Sequence, residues 1–123
     1  MSESDRRALR LRIVLAPGAR LGPGKIDLLE AIAESGSIRA AGNRLRMSYR
    51  RAWSLVAELN RMFAEPLVTA EAGGRGGGGA RLTPLGREII RRFRRMESMA
   101  YAAIAKDFQR VSARLKKASR ASS

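Results

Sequence analysis

The stretch Gly73–Gly79 holds six glycines around a single arginine, Arg75, and within it Gly74-Arg75-Gly76-Gly77-Gly78-Gly79 satisfies a G-x-G-x-x-G spacing. Backbone amides in such a run cradle phosphate when the glycines join a buried strand to a helix inside a βαβ unit. Here the run leads into "ARLT", a strand-like piece, and no alternating β/α pattern surrounds it. A nucleoside-triphosphate loop would need Gly-Lys-Ser/Thr at its end, and the lysines are Lys25, Lys106, Lys116 and Lys117. The readings left are a plain linker and a hairpin tip carrying one charge. The strand-like flanks favour the tip, where Arg75 has no bulky neighbours to keep it from a narrow, electronegative groove.

Two other groupings carry charge at regular spacing. Asp27, Glu30 and Glu34 fall on one helical face, where such a set reads as a solvated surface. The chain has no His and no Cys, so thiol and imidazole chemistry and the commonest zinc ligands are excluded. The expectation is a protein that is not an enzyme and needs no cofactor or metal. The second grouping is basic. Between Ser37 and Ala57 there is no acid, while Arg39, Arg44, Arg46, Arg50 and Arg51 fall there; Arg75, Arg81 and Arg87 occupy a second acid-free stretch from Ala72. The formal net charge is +14, and a polyanion is the usual partner of such an excess. Nucleic acid and an anionic membrane are the candidates, and nucleic acid is favoured. Arginine outnumbers lysine heavily, which suits bidentate contact with guanine but equally reflects GC-rich coding.

The elements that would position these residues read in order. "LRLRIVL" alternates Leu9, Leu11, Ile13 and Leu15 against arginines, as a half-buried strand does. After the turn-rich "APGARLGPG", Pro23 opens a helix ending near Gly36, with a stripe of Ile26, Leu29, Ile32 and Ala33. Ser37 caps a short second helix with Ile38, Ala41 and Leu45 inward, and Ala40, Ala41 and Gly42 permit a close crossing. Ser48 caps a third helix, Tyr49 to about Phe63, with Ala52, Val56, Leu59 and Phe63 inward. Trp53 lies beside that stripe and is expected in the core. "LVTAEA" and "ARLT" make a hairpin around the glycines, and Thr83-Pro84 opens a long helix reaching about Lys117.

Three helices followed by a two-stranded hairpin make a winged helix-turn-helix. The fold class expected is mainly α with a small β component, ending in a long C-terminal dimerisation helix. Residues 1–8 and 118–123 are expected to be disordered, 9–83 to form the DNA-binding unit with its N-terminal strand, and 84–117 the dimerisation helix. Helix three lies in the major groove of double-stranded DNA in such a unit and the wing reaches the backbone or minor groove. The expected contacts are Ser37, Arg39, Arg46, Ser48, Tyr49, Arg50, Arg51, Ser54, Arg75 and Arg81, with Arg50 or Arg51 the candidates for guanine. Arg87, Arg91, Arg94 and Arg95 fall on the outer side of the last helix and add candidate backbone contacts. That helix also leaves a seam of Phe93, Met96, Ile104 and Phe108 in need of a partner, most simply a second copy. The alternative is a sequence-tolerant nucleoid-associated or RNA-binding protein, though an aromatic fraction of 5% leaves few rings for stacking. No secretory leader and no ~20-residue apolar span is visible, so a cytoplasmic location without membrane contact is expected.

The stretches "GPGKIDLLEAIAESGSIRAAG", "MSYRRAWSLVAELN" and "GGRGGGGARLTPLG" resemble the N-terminal DNA-binding domain of the ModE-type, molybdate-responsive transcription regulators, relatives of the LysR-type winged helix. The likeness covers roughly Leu9 to Phe108. It implies a homodimer on palindromic operators that represses metal or oxyanion transport or cofactor genes. It also implies a dimer interface built from the N-terminal strand and the last helix: Leu11, Ile13, Ile89, Phe93, Met96, Ala100, Ile104 and Phe108. Family members continue into an oxyanion-binding region where this chain stops. The expectation is therefore a member lacking that region, either one without a sensor or one that senses through a separate partner.

Overall fold

The computed structural model describes residues 8–71 and 79–117, together with Ser2 and Ser4. Within them run β1 (Ile13–Ala16), β2 (Ala19–Leu21), α1 (Pro23–Ser35), α2 (Ile38–Arg44), α3 (Tyr49–Met62), β3 (Val68–Glu71), β4 (Gly79–Leu82) and α4 (Pro84–Ser112). Apart from Ser2, Ser4 and Ala8, the two terminal segments read as disordered lie outside the described residues, as does the wing tip with Arg75.

Local signals set most of the boundaries. Pro23 sits in the first turn of α1, where its missing N–H costs nothing. Gly36 ends the helix at φ +74, its N–H bonded to the Ile32 carbonyl at 2.8 Å. Ser37 caps α2 by accepting from the Ala40 N–H, Ser48 caps α3 through the Arg51 N–H, and Thr83 caps α4 through the Gly86 N–H. Between α2 and α3 the chain turns through a Schellman arrangement: Met47 N–H donates to the Gly42 carbonyl and Arg46 N–H to that of Asn43. The left-handed position in that turn is occupied by Arg46, at φ +58, where glycine would be unstrained.

The core is the junction of the three short helices with the base of the wing. Ile26, Leu28, Leu29 and Ile32 of α1 meet Ala41, Ala52, Leu59, Leu67 and Leu82, and Phe93 of α4 closes the cluster. Each large aliphatic side chain fully buried this way is worth about 1.5–3 kcal/mol. The buried face of α1 is wider than its expected stripe, because Leu28 and Ala31 are inside while Ala33 is exposed. Gly42 allows α2 to cross α3: a methyl there would stand 3.1 Å from Ala52 Cβ.

The N-terminal strand starts later than the alternation suggests and pairs with β2, which the turn-rich reading of residues 16–24 missed. Ile13 faces Leu21 and Val14 faces Arg20, with an irregularity before the Ala16–Ala19 pair and Gly18 at φ +80 in the turn. The second hairpin pairs Val68 with Leu82 through to Glu71 with Gly79.

Candidate nucleic-acid interface

The wing base is fixed to the helices at three points. Asn60 of α3 accepts from the Leu67 and Val68 N–H groups at 2.8 and 3.1 Å and donates to the Val68 carbonyl at 3.0 Å. Ala80 N–H donates to the Gly36 carbonyl at 2.9 Å, beside a Ser37–Gly79 bridge. Thr83 donates its N–H to the Leu67 carbonyl at 2.9 Å and its hydroxyl to that of Pro66 at 2.8 Å. The hairpin is therefore held in register with α3. Asn60 was not singled out by sequence, because an Asn inside a helix pattern says nothing about a strand seven residues on.

The face of α3 turned from the core carries Arg50, Arg51, Ser54 and Arg61, all exposed, with Tyr49 44% and Trp53 56% exposed on one flank. Trp53 thus stands on the surface, contrary to its expected place in the core. It lies about 100° around the helix from buried Ala52, too far to follow it inward. The one acid of α3, Glu58, is ion-paired with Lys25 of α1. The hydrogen bond from Lys25 holds the Glu58 carboxyl below its ordinary value, so it stays charged and neutralised by its partner. What remains of the helix surface is cationic.

Neighbouring groups extend that surface. Arg39, in the first turn of α2, lays its guanidinium over the Tyr49 ring, 4.3 Å from the centroid. Such a contact orients both side chains and is worth about 0.5–1 kcal/mol at an exposed site. Arg46 and Ser48 are exposed in the connecting turn, and Ser37 is half-buried at the start of α2. Both serine oxygens are committed as cap acceptors, which leaves each hydroxyl proton available to a ligand. Arg81, on the exposed face of β4, is 3.4 Å from Glu71 across the hairpin. The structure thus gathers Arg39, Arg46, Ser48, Tyr49, Arg50, Arg51 and Ser54 around the start of α3; Arg81 sits apart, at the wing.

The last helix departs from expectation at Arg94, placed on the outer side by its phase in the sequence. It points inward instead, donating to Glu30 through Nε at 3.0 Å and Nη2 at 2.7 Å, to Asp27 at 2.7 Å and to Glu97 at 2.8 Å. Two of the acids read as solvated surface thus hold α4 to α1, and Glu97 is buried. These bonds raise the Arg94 pKa further, Glu30 contributing most. Glu34, the third acid of that set, pairs with Arg44.

Phe93 is buried in the chain's own core, and Ile89, Leu11 and Ile13 pack half-buried against it. Beyond Glu97 nothing on α4 is buried. Met99, Ile104 and Val111 are exposed there, as is Met96 just before Glu97, and Tyr101 rests against Phe108 with ring centroids 6.2 Å apart. No helix among the described residues is long and apolar enough to cross a membrane.

The model of the bacterial regulatory helix-turn-helix proteins of the LysR family matches residues 24–87. The chain is 42% identical over 94 residues to the molybdenum-pterin-binding protein MopB of Rhodobacter capsulatus, covering 76% of this chain and 35% of that protein. It is 44% identical over 80 residues to the molybdenum transport protein ModE of Azotobacter vinelandii, covering 65% and 30%. With the DNA-binding transcriptional dual regulator ModE of Escherichia coli K12 it shares 43% over 68 residues, covering 55% and 26%. The chain spans between about a quarter and a third of the length of the curated relatives it matches. A chain from the crystal structure of a CbnR_DBD–DNA complex superposes with a TM-score of 0.54 at 24% identity, covering 74% of this chain and 97% of that one. That likeness concerns the fold alone.

Proposed function

The chain belongs to the LysR family of bacterial regulatory helix-turn-helix proteins, and on that premise we propose that it binds double-stranded DNA as a sequence-specific transcription regulator. The observation that carries the reading is the outward face of α3, where Arg50, Arg51 and Ser54 are exposed and the only acid is neutralised by Lys25. Arg50 and Arg51 reach base edges in the major groove, where a bidentate arginine–guanine pair discriminates by about 1–3 kcal/mol. Ser37, Arg39, Arg46, Ser48 and Tyr49 hold flanking phosphates, and Arg81 with Arg75 carries the wing to the backbone.

Residues 9–83 act as the DNA-binding unit and 84–117 as the dimerisation element. The exposed apolar run of α4 beyond Glu97 supports a homodimer, in which paired α3 helices meet a palindromic operator. The names of the relatives, molybdenum transport and molybdenum-pterin binding, support oxyanion-transport or cofactor genes as the regulated set, and repression of those genes is the direction we propose. Competitive binding tests the reading. Purified protein should prefer duplexes selected from a random pool over bulk DNA by at least ~10³. Equal competition by random duplex would favour a sequence-tolerant nucleoid protein, and preference for RNA would overturn the reading.

A further inference from the structure

On the flank of α3 opposite the one Asn60 ties to the wing, basic side chains from four segments converge on a cleft of about 540 Å³. Arg10 and Arg12 come from the lead-in to β1, Arg20 from β2, Lys25 from the first turn of α1 and Arg51 from α3, with Glu58 the one acid. Lys25 is occupied: it pairs with Glu58 and donates to the Arg20 carbonyl at 2.7 Å. The four arginines have no carboxylate partner among the described residues, and all four are exposed. Guanidinium groups gathered this way repel one another unless an anion enters between them.

The kind of anion follows from the walls. A small dehydrated oxyanion needs inward-pointing donors sealed from water, but no buried side-chain nitrogen or oxygen among the described residues lacks a partner. Exposed arginines around an open cleft suit a hydrated polyanion lying along it. Arg51 belongs both to this cleft and to the outward face of α3, so the two surfaces are continuous.

We propose that the cleft is a second backbone clamp, in which Arg10, Arg12 and Arg20 hold phosphodiesters flanking the groove that α3 enters. The duplex is then gripped on both sides of α3, by the β3–β4 wing on one and by the β1–β2 hairpin on the other. The proposal rests on the DNA-binding reading above, and the test separates the two. The full chain and an Arg10→Ala/Arg20→Ala variant are titrated with a labelled selected duplex across a salt series. Because each neutralised phosphate contributes about 0.9 to the log–log salt slope, the variant's slope should be shallower by about 1.8, and that of Arg12→Ala alone by about 0.9. The ranking of single-base-changed duplexes should not move. Calorimetric titration with sodium phosphate or sodium molybdate, without DNA, should show no saturable binding. Wild-type slopes in both variants would overturn the clamp while leaving DNA binding intact. Saturable uptake of either inorganic anion, lost in the variants while the slope stays unchanged, would replace the clamp with a small-anion pocket. A wild-type chain that bound no duplex would overturn both readings together.

Discussion

At Gly86 packing and helix propensity make opposite predictions, and its replacement by alanine decides between them. It lies in the first turn of α4 and is buried against the backbone of Leu67. A methyl group there would come closer than 3.0 Å to the Leu67 carbonyl oxygen, with the carbonyl carbon at 3.2 Å and Cα at 3.4 Å. No rotamer relieves the clash, because every atom involved is main chain. The chain entering β3 and the helix must part by roughly 0.5–1 Å to restore ordinary contact. That same carbonyl accepts the Thr83 N–H at 2.9 Å, so parting them also strains the joint between wing and α4. Overpacking costs about 1–3 kcal/mol and a weakened hydrogen bond about 1, against about 1 gained from alanine's helix propensity. The net expectation is a loss of about 2 kcal/mol, a fall in Tm of about 8 °C for a chain of this size. Gly24, also in a helix but with nothing within 4 Å of an added methyl, supplies the control. Gly24→Ala should leave Tm unchanged or raise it. Thermal unfolding followed by circular dichroism reads both, and a Gly86→Ala protein as stable as wild type would refute the packing argument.

Three further substitutions probe other joints. Arg94→Met should cost about 3–5 kcal/mol in urea unfolding, since it leaves Glu97 buried without its partner, and Arg94→Met/Glu97→Leu should recover much of the loss. Arg46→Gly should raise stability by up to about 1 kcal/mol by relieving the left-handed backbone, while making the salt slope for duplex shallower by about 0.9; a variant neutral in both would remove Arg46 from the site. Ile104→Asp should convert a sedimenting dimer to a monomer, and a wild-type monomer at micromolar concentration would contradict the dimerisation role of α4.

The order of elements was legible because its punctuation is local. Pro23, Gly36, Ser37, Ser48, Thr83 and Pro84 each act on their own few residues, and the structure uses each where the sequence puts it. The basic surface at the start of α3 was legible for a related reason: a stretch without acids stays cationic wherever its side chains point. Long-range pairing was not. Arg94 has the same phase as neighbouring solvent-facing arginines, and the acids of α1, more than sixty residues away, draw it inward together with Glu97. Phe93, read as part of an exposed seam, is taken up by its own core for the same reason of contact order. β2 is three residues long, too short for alternation to register. The basic cleft escaped notice because its arginines come from separate segments that only the fold brings together.

The claim that the outward face of α3 meets DNA has a direct optical reporter, because Trp53 is the only tryptophan and stands exposed on the flank of that helix. Titrating the unmodified protein with a selected duplex should quench and blue-shift its emission and reduce its accessibility to acrylamide, saturating in step with duplex anisotropy. Anisotropy that saturates while Trp53 emission and quenching stay constant would place the DNA on another surface and contradict the account.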